Sequence, residues 1–441
     1  MRRTTLHHFR LPGLTAILFS PLFFSPAWAQ SDAQSLPIPA KVAPAQALHL
    51  ETAIRLALSA NPELAAAGHG LQAAEGARIQ AGLLPNPSLS VLVEDTRDKA
   101  NRTTTVQIDQ PIETGGKRAA RMALADRGQE VAAAGLAARR LALRAEVTGA
   151  FFDVLAAQQR VRQAEELLGL AQGARRAASQ RVAAGKISPV EETRAGLAEA
   201  AVRVDLAQAK GALSVARQAL SALWGDSAPH FGWAEGRMDV LPVMLSPEEM
   251  EKRLQTSPAM TLARAEADRA GALARLERAR RIGDVTLSLG SKRAEELGRN
   301  QMLVGLSVPL PLFDRNQGNV IEATQLADRA RDELAATEIR LLTEATQTHE
   351  RLRVSVLEAE TLQREILPGA QGAYEAASKG FALGKFSFLE VLDAQRTFFE
   401  AQSQYLRALA DAHRAAAELD RVLGAPIPTS PQTTIAPGST I

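Results

Sequence analysis

The passage VAAGKISPVEETRAG, Val182 to Gly196, returns as FALGKFSFLEVLDAQ, Phe381 to Gln395, at a constant offset of 199. Gly185 matches Gly384, Lys186 matches Lys385, Ser188 matches Ser387 and Glu191 matches Glu390; the same offset carries Leu220 to Leu419 and Gly225 to Gly424 without a gap. A long repeat with a glycine-centred break inside it is one supersecondary unit used twice. Glycine between two helical runs supplies the left-handed backbone that ends a helix before a reversal. Both passages therefore read as tips of long antiparallel helical hairpins, at residues 184–188 and 383–387.

The arms of these hairpins are unusually long. Lys117 to Ala184 contains no proline, and its apolar and small residues fall into heptads. Val147, Val154, Val161 and Leu168 form one row; Leu136, Leu143, Ala150, Ala157, Ala164, Ala171 and Ala178 form its companion. Two such rows make a coiled-coil seam, and alanine in one of them allows close approach. At about 1.5 Å per residue the run spans roughly 100 Å, too long for a compact globule. A returning helix follows from Pro189 to Leu223. The second copy starts at Ser246, where LQTSPAM (Leu254–Met260) echoes LSANPEL (Leu58–Leu64). Its long arm runs from Gln317 to Leu383, broken or bent near Pro368-Gly369, and returns to Leu423.

Ahead of each long arm the period changes from 3.6 to 2. Leu89, Val91 and Val93 alternate with Ser88, Ser90 and Leu92, and after a polar turn Val106 and Ile108 alternate with Thr105, Gln107 and Asp109. In the second copy Val285, Leu287 and Leu289 alternate with Thr286, Ser288 and Gly290, and Met302, Val304, Leu306 and Val308 with Leu303, Gly305 and Ser307. These are four strands, over residues 88–95, 103–112, 284–291 and 300–312. Each is about the length a tilted strand needs to cross a bilayer. The domain plan is a first repeat at 48–224, a linker at 225–245 and a second repeat at 246–425.

The termini read differently. Arg2, Arg3 and Arg10 precede a mostly apolar stretch from Leu11 to Phe24, and Ala27-Trp28-Ala29 ends it, which predicts a signal peptide over 1–29. Residues 30–47 and 426–441 are Pro-rich and polar, and are expected to be disordered. Without the leader's three arginines the formal charge falls from +2 to −1, so nothing favours a nucleic-acid partner. The chain has no cysteine, hence no disulfide and no thiol for an acyl anchor.

Four strands cannot close a barrel, and open edges are not tolerated in lipid. Identical neighbours in cyclic symmetry supply the closure: two copies give eight strands and a filled lumen, three give twelve and a passage. With these features the chain resembles the TolC-type outer-membrane efflux channels. It is most similar to the outer-membrane component of cobalt–zinc–cadmium cation efflux systems. The carriers are LETAIRLALSANPEL, QPIETGGKR, VPLPLFDRNQG and FALGKFSFLEVLDAQRT, in that order across the duplication. The resemblance implies a mainly α chain with a transmembrane β-barrel: a homotrimer with a 12-stranded outer-membrane barrel and a periplasmic α-barrel, the linker lying in its equatorial region. It also implies a periplasmic adaptor, an inner-membrane proton-driven pump of the resistance–nodulation–division (RND) type, and no enzyme activity or cofactor. Drug efflux or type I protein secretion on the same fold remains an alternative, as does a periplasmic coiled-coil adaptor or structural protein.

Two groups of residues are candidates for function. Arg181, Gly185, Lys186, Ser188, Gly384, Lys385, Phe386 and Ser387 surround the tips. The resemblance implies that this region meets the adaptor, and an aromatic ring such as Phe386 is costly to leave in water. Glu390 and Asp393 share one helical face beyond the second tip, with Glu191 as the repeat partner of Glu390. In a trimer they would form acidic rings able to constrict a channel and select cations. The competing readings are loop chemistry for the tips and a solvated helix face for the acids. The histidines are scattered without metal-ligand spacing, and Gly115-Gly116-Lys117 lacks the rest of a phosphate loop.

Overall fold

The computed structural model describes residues 47–424; the expected signal peptide, almost all of the lead-in and the C-terminal tail lie outside them. In chain order the elements are β1 (Ala47–His49), α1 (Leu50–Ala60), α2 (Pro62–Ala81), β2 (Ser88–Glu94), β3 (Thr103–Ile112), α3 (Lys117–Ala183) and α4 (Pro189–Ala222). Then come β4 (Trp233–Glu235), α5 (Pro247–Gln255), α6 (Pro258–Ala279), β5 (Val285–Ala294), β6 (Arg299–Ser307), α7 (Gln317–Thr361), α8 (Leu367–Ala382) and α9 (Phe388–Leu423).

The helix boundaries follow local chemistry. Pro62 and Pro258 stand at the first turn of α2 and α6, where a missing N–H costs nothing. Asn61 and Ser257 cap them, accepting from the backbone N–H of Leu64 at 2.8 Å and of Met260 at 3.3 Å. Gly225, just past the end of α4, and Gly424, the C-cap of α9, both have positive φ, and each packs against the proline of its own repeat. Each unit thus closes on itself at the same joint. Between α7 and α8 a single π-helical turn, Leu362–Ile366, precedes Pro368. Proline removes a backbone donor and pushes on the preceding turn, which accounts for the expected irregularity.

β2, β3, β5 and β6 form one antiparallel sheet in that order. Its register lines up Leu89, Ile108, Leu289 and Val304 in one row, beside Gln110, Leu287 and Leu306 and beside Val91, Val106, Ser291 and Met302. The opposite face carries Ser90, Gln107, Gly290 and Leu303, then Asp109, Ser288 and Gly305. One face is apolar yet exposed, with Leu89 at 67%, Val304 at 68% and Met302 at 86%. None of the described helices is long and apolar enough to cross a membrane.

Two strand boundaries differ from expectation. β6 stops at Ser307 rather than 312, because Pro309 and Pro311 cannot donate to a ladder and Pro309 packs instead on Gly283. β5 runs on to Ala294 rather than 291, since Lys292 and Arg293 stay paired with β6 and β3. The linker also holds unexpected order. β4 pairs in parallel with β1, and Gln158 of α3 clasps Ala234 from both sides, donating to its carbonyl at 2.9 Å and accepting from its N–H at 2.8 Å. Farther on, His413 of α9 meets the Met238 carbonyl at 2.9 Å and stacks on Phe152, ring centroids 3.7 Å apart. The main core, around Leu143, Val147, Phe151, Val154 and Leu220, lies beneath this strap.

Candidate functional site

At both tips the chain turns through the same hydrogen-bond motif. Gly185 N–H donates to the Val182 carbonyl and Lys186 N–H to that of Arg181; Gly384 N–H donates to Phe381 and Lys385 N–H to Gly380. This is the Schellman arrangement, and it needs a left-handed residue after the helix. Gly185 and Gly384 supply it, with φ of 67° and 73°. Ser188 and Ser387 then start the returning helices as N-caps, each accepting a backbone N–H. Four of the tip residues are therefore needed to shape the turn, while Lys186 and Lys385 stand exposed.

The two tips differ where the repeat is broken. The counterpart of Arg181 at offset 199 is Gly380, and that of Val182 is Phe381. Arg181 reaches across from the first tip: its guanidinium lies 4.3 Å from the centre of the Phe381 ring and donates to the Phe381 carbonyl at 3.4 Å. Ala178, Ala195, Ile187 and Leu392 pack around this contact. Arg181 thus ties the two hairpins of one chain together. Phe386, in turn, is half-exposed and lies over Gly380, where a Cβ would fall 2.1 Å from the ring. Sequence reasoning missed both contacts, although the mismatched repeat positions mark them.

The acids separate into distinct settings. Glu390 closes a capping box, its carboxylate accepting from Ser387 N–H at 2.6 Å. Asp393 is exposed and pairs with Arg396 at 3.2 Å, which also faces Glu400 at 3.6 Å. Glu191 is half-buried: one oxygen meets Arg194 at 3.2 Å and the other is enclosed without a hydrogen-bond partner. Above them α3, α4 and α9 bound a groove of about 640 Å³ that includes Arg160, Arg396, Phe399 and Arg407. Burial and the neighbouring Arg407 hold the Arg160 guanidinium below its ordinary pKa. Lower on the same hairpin, Glu199 bonds to Arg175 and Arg203, which hold its carboxyl below the usual range. No group of three or more His, Asp or Glu able to hold a metal ion occurs among the described residues.

Comparison with known proteins bears on the fold and the family. The chain is 47% identical over 415 residues to the cobalt-zinc-cadmium resistance protein CzcC of Cupriavidus metallidurans, covering 93% of this chain and 98% of that one. It is 29% identical over 293 residues to the nickel-cobalt-cadmium resistance protein NccC of Alcaligenes xylosoxydans xylosoxydans, covering 65% of each. In three dimensions it superposes on the outer membrane protein VceC of Vibrio cholerae with a TM-score of 0.71 at 20% identity, over 86% of this chain and 97% of that one. The family model for outer membrane efflux proteins matches twice, at residues 53–226 and 250–425, one match per repeat. Two matching repeats, the sheet they share and a relative alike over nearly its whole length make this chain a member of the outer membrane efflux protein family.

Proposed function

We propose that the chain is the exit duct of a tripartite system that exports heavy-metal cations, formed when three copies close their sheets into a twelve-stranded barrel. The observation that carries this reading is the four-stranded sheet. It has an exposed apolar face and, among the described residues, β2 and β6 have no outer partner. An apolar sheet with open edges is stable in lipid only after closure. Three copies suffice for an open lumen. The helices at its foot continue the barrel as a periplasmic tube ending at the tips.

The cargo is inferred from the resistance named in CzcC and NccC, cobalt, zinc, cadmium and nickel between them. The metal is cargo in transit, and the duct performs no reaction. A periplasmic adaptor meets the tips, where Lys186 and Lys385 offer charge beside the glycine turns, and an RND-type pump in the inner membrane supplies the drive. The constriction lies at Asp393 and Glu390, with Glu191 as the counterpart of Glu390 on the first hairpin, each acid repeated three times around the axis. Deleting the gene from its host and restoring it on a plasmid tests the cargo: cells lacking it should accumulate cobalt, zinc or cadmium and lose tolerance. Unchanged accumulation would remove the metal reading. A monomer in detergent, by native mass spectrometry, would remove the duct.

A further inference from the structure

The seam between subunits is written inside the single chain. The hairpin β2–β3 and the hairpin β5–β6 have the same register after a shift of 198: Ser90 faces Gln107 as Ser288 faces Gly305, and Leu89 faces Ile108 as Leu287 faces Leu306. The chain therefore holds two copies of one β-hairpin, joined in the middle by the β3–β5 ladder. Helices repeat the arrangement at the sheet's foot, with α2 on α3, α3 on α6 and α6 on α7. The outer edges, β6 at one side and β2 at the other, are the counterparts of β3 and β5.

Resting on the trimeric reading above, we infer that β6 pairs with β2 of the next copy in the register of the internal β3–β5 joint, placing Ser307 opposite Ser90. In the internal joint Asp109 faces Ser288; adding 198 to the first and subtracting it from the second gives Ser307 and Ser90. The same operation sets Gly305 opposite Leu92, Leu306 opposite Val91 and Val304 opposite Val93. The exposed apolar rows of one chain then continue unbroken into the next, valine and leucine meeting valine. A slip of one residue would turn β2 over and set polar groups against lipid. A slip of two keeps the faces and is excluded only by the repeat, so it is the alternative the experiment must separate.

The joint differs from its internal template in one chemical respect. Lys117 and Asp284, an ion pair 2.6 Å apart, tie α3 to the foot of β5. Asp284 corresponds to Asn86 at the same shift of 198, and the residue that opens α7, as Lys117 opens α3, is Gln317. At these two helix and strand starts the seam has Asn86 and Gln317 where the internal joint has the charged pair.

The absence of cysteine gives a clean background for cross-linking. Three double variants place a thiol at position 307 on β6 and a second on the same face of β2: S307C/S88C, S307C/S90C and S307C/L92C. Directly opposite residues have Cβ atoms about 4.5–5.5 Å apart and diagonal ones about 7–8 Å, against the roughly 3.5–4.5 Å of a disulfide. Membranes are oxidised with copper phenanthroline and resolved by denaturing electrophoresis without reductant. S307C/S90C should convert most of the protein to covalent dimer and trimer, severalfold more than either companion. Strongest cross-linking in S307C/S88C or S307C/L92C would overturn the register. So would no cross-link in any variant while native mass spectrometry of the same samples shows a trimer. A monomer by mass would defeat the trimeric reading itself.

Discussion

Replacing Lys117 by methionine probes the joint between the two repeats. The ammonium is 2.6 Å from Asp284 Oδ1, with the lysine side chain 11% exposed and the aspartate 40%. Thr114 adds its backbone N–H to the same oxygen at 3.1 Å. Burial opposes the charged carboxylate, but the Lys117 and Thr114 bonds prevail and hold Asp284 below the usual range. Breaking a fully buried pair costs about 3–5 kcal/mol and an exposed one about 0–1, so this half-open pair should cost about 2 kcal/mol. For a long chain that is a fall of about 2–5 °C in the melting temperature of the detergent-solubilised protein. The double variant K117M/D284N, which removes both charges, should recover at least half of the loss. A depressed carboxyl pKa contributes stability that is complete above the unfolded value, near 3.9, and is lost as pH falls through the folded one. The gap between wild type and K117M should therefore narrow on acidification. A variant as stable as wild type at pH 7, or a gap indifferent to pH, would refute the argument.

Valine at Gly384 or Gly185 must adopt a left-handed backbone at a cost on the order of 1–2 kcal/mol, confined to the tip. Metal tolerance should fall while the amount of assembled protein, by membrane immunoblot, stays the same. Gln158→Leu strands the buried N–H and carbonyl of Ala234, at about 1–3 kcal/mol for each group; the expected result is a lower melting temperature and faster proteolysis of the strap between Gly225 and Leu245. Burial pushes the His413 imidazole below its ordinary pKa, against the smaller raising effects of the Met238 carbonyl and Asp239. The folded protein then resists the proton, so stability is complete above about pH 6.5 and declines as pH falls below it. H413Q, which retains an amide donor for Met238, should show a smaller loss in thermal melts between pH 7 and pH 5.

The long arms, the four strands and both tips were legible because each has a periodicity or a breaker that acts locally. Lys117 to Ala183 forms one helix, with Leu143, Val147 and Val154 from the two heptad rows fully buried. The strand ends were less legible: Val308 continues the alternation, but Pro309 stops the ladder, and Lys292 looks like turn chemistry while standing in a strand. The strap was hidden because what holds it comes from far along the chain. Gln158 reaches Ala234 and His413 reaches Met238, contacts that no local pattern encodes. At the candidate site the glycines and capping serines were readable as turn makers. Glu390 looked like a bare acid beside Asp393, whereas its carboxylate is engaged by Ser387.

The exactness of a repeat reports what each segment must fit. The two strand hairpins keep one register under a shift of 198, and the two tips keep the same Schellman turn under a shift of 199. The slack lies between them, partly in the irregular segment from Val308 to Asn316, which no ladder constrains. A sheet that must match its neighbour on both edges tolerates no change of register in either copy, because one misfit would leave a gap at every repetition around the ring. The tips obey a weaker rule: the fold of the turn is kept, but Arg181 and Gly380 occupy equivalent places with opposite roles, one reaching out and the other making room for Phe386. In the proposed ring, symmetry is kept where the chain would close on copies of itself. It is given up where the two hairpins of one chain hold each other, through the Arg181 guanidinium and the ring and carbonyl of Phe381.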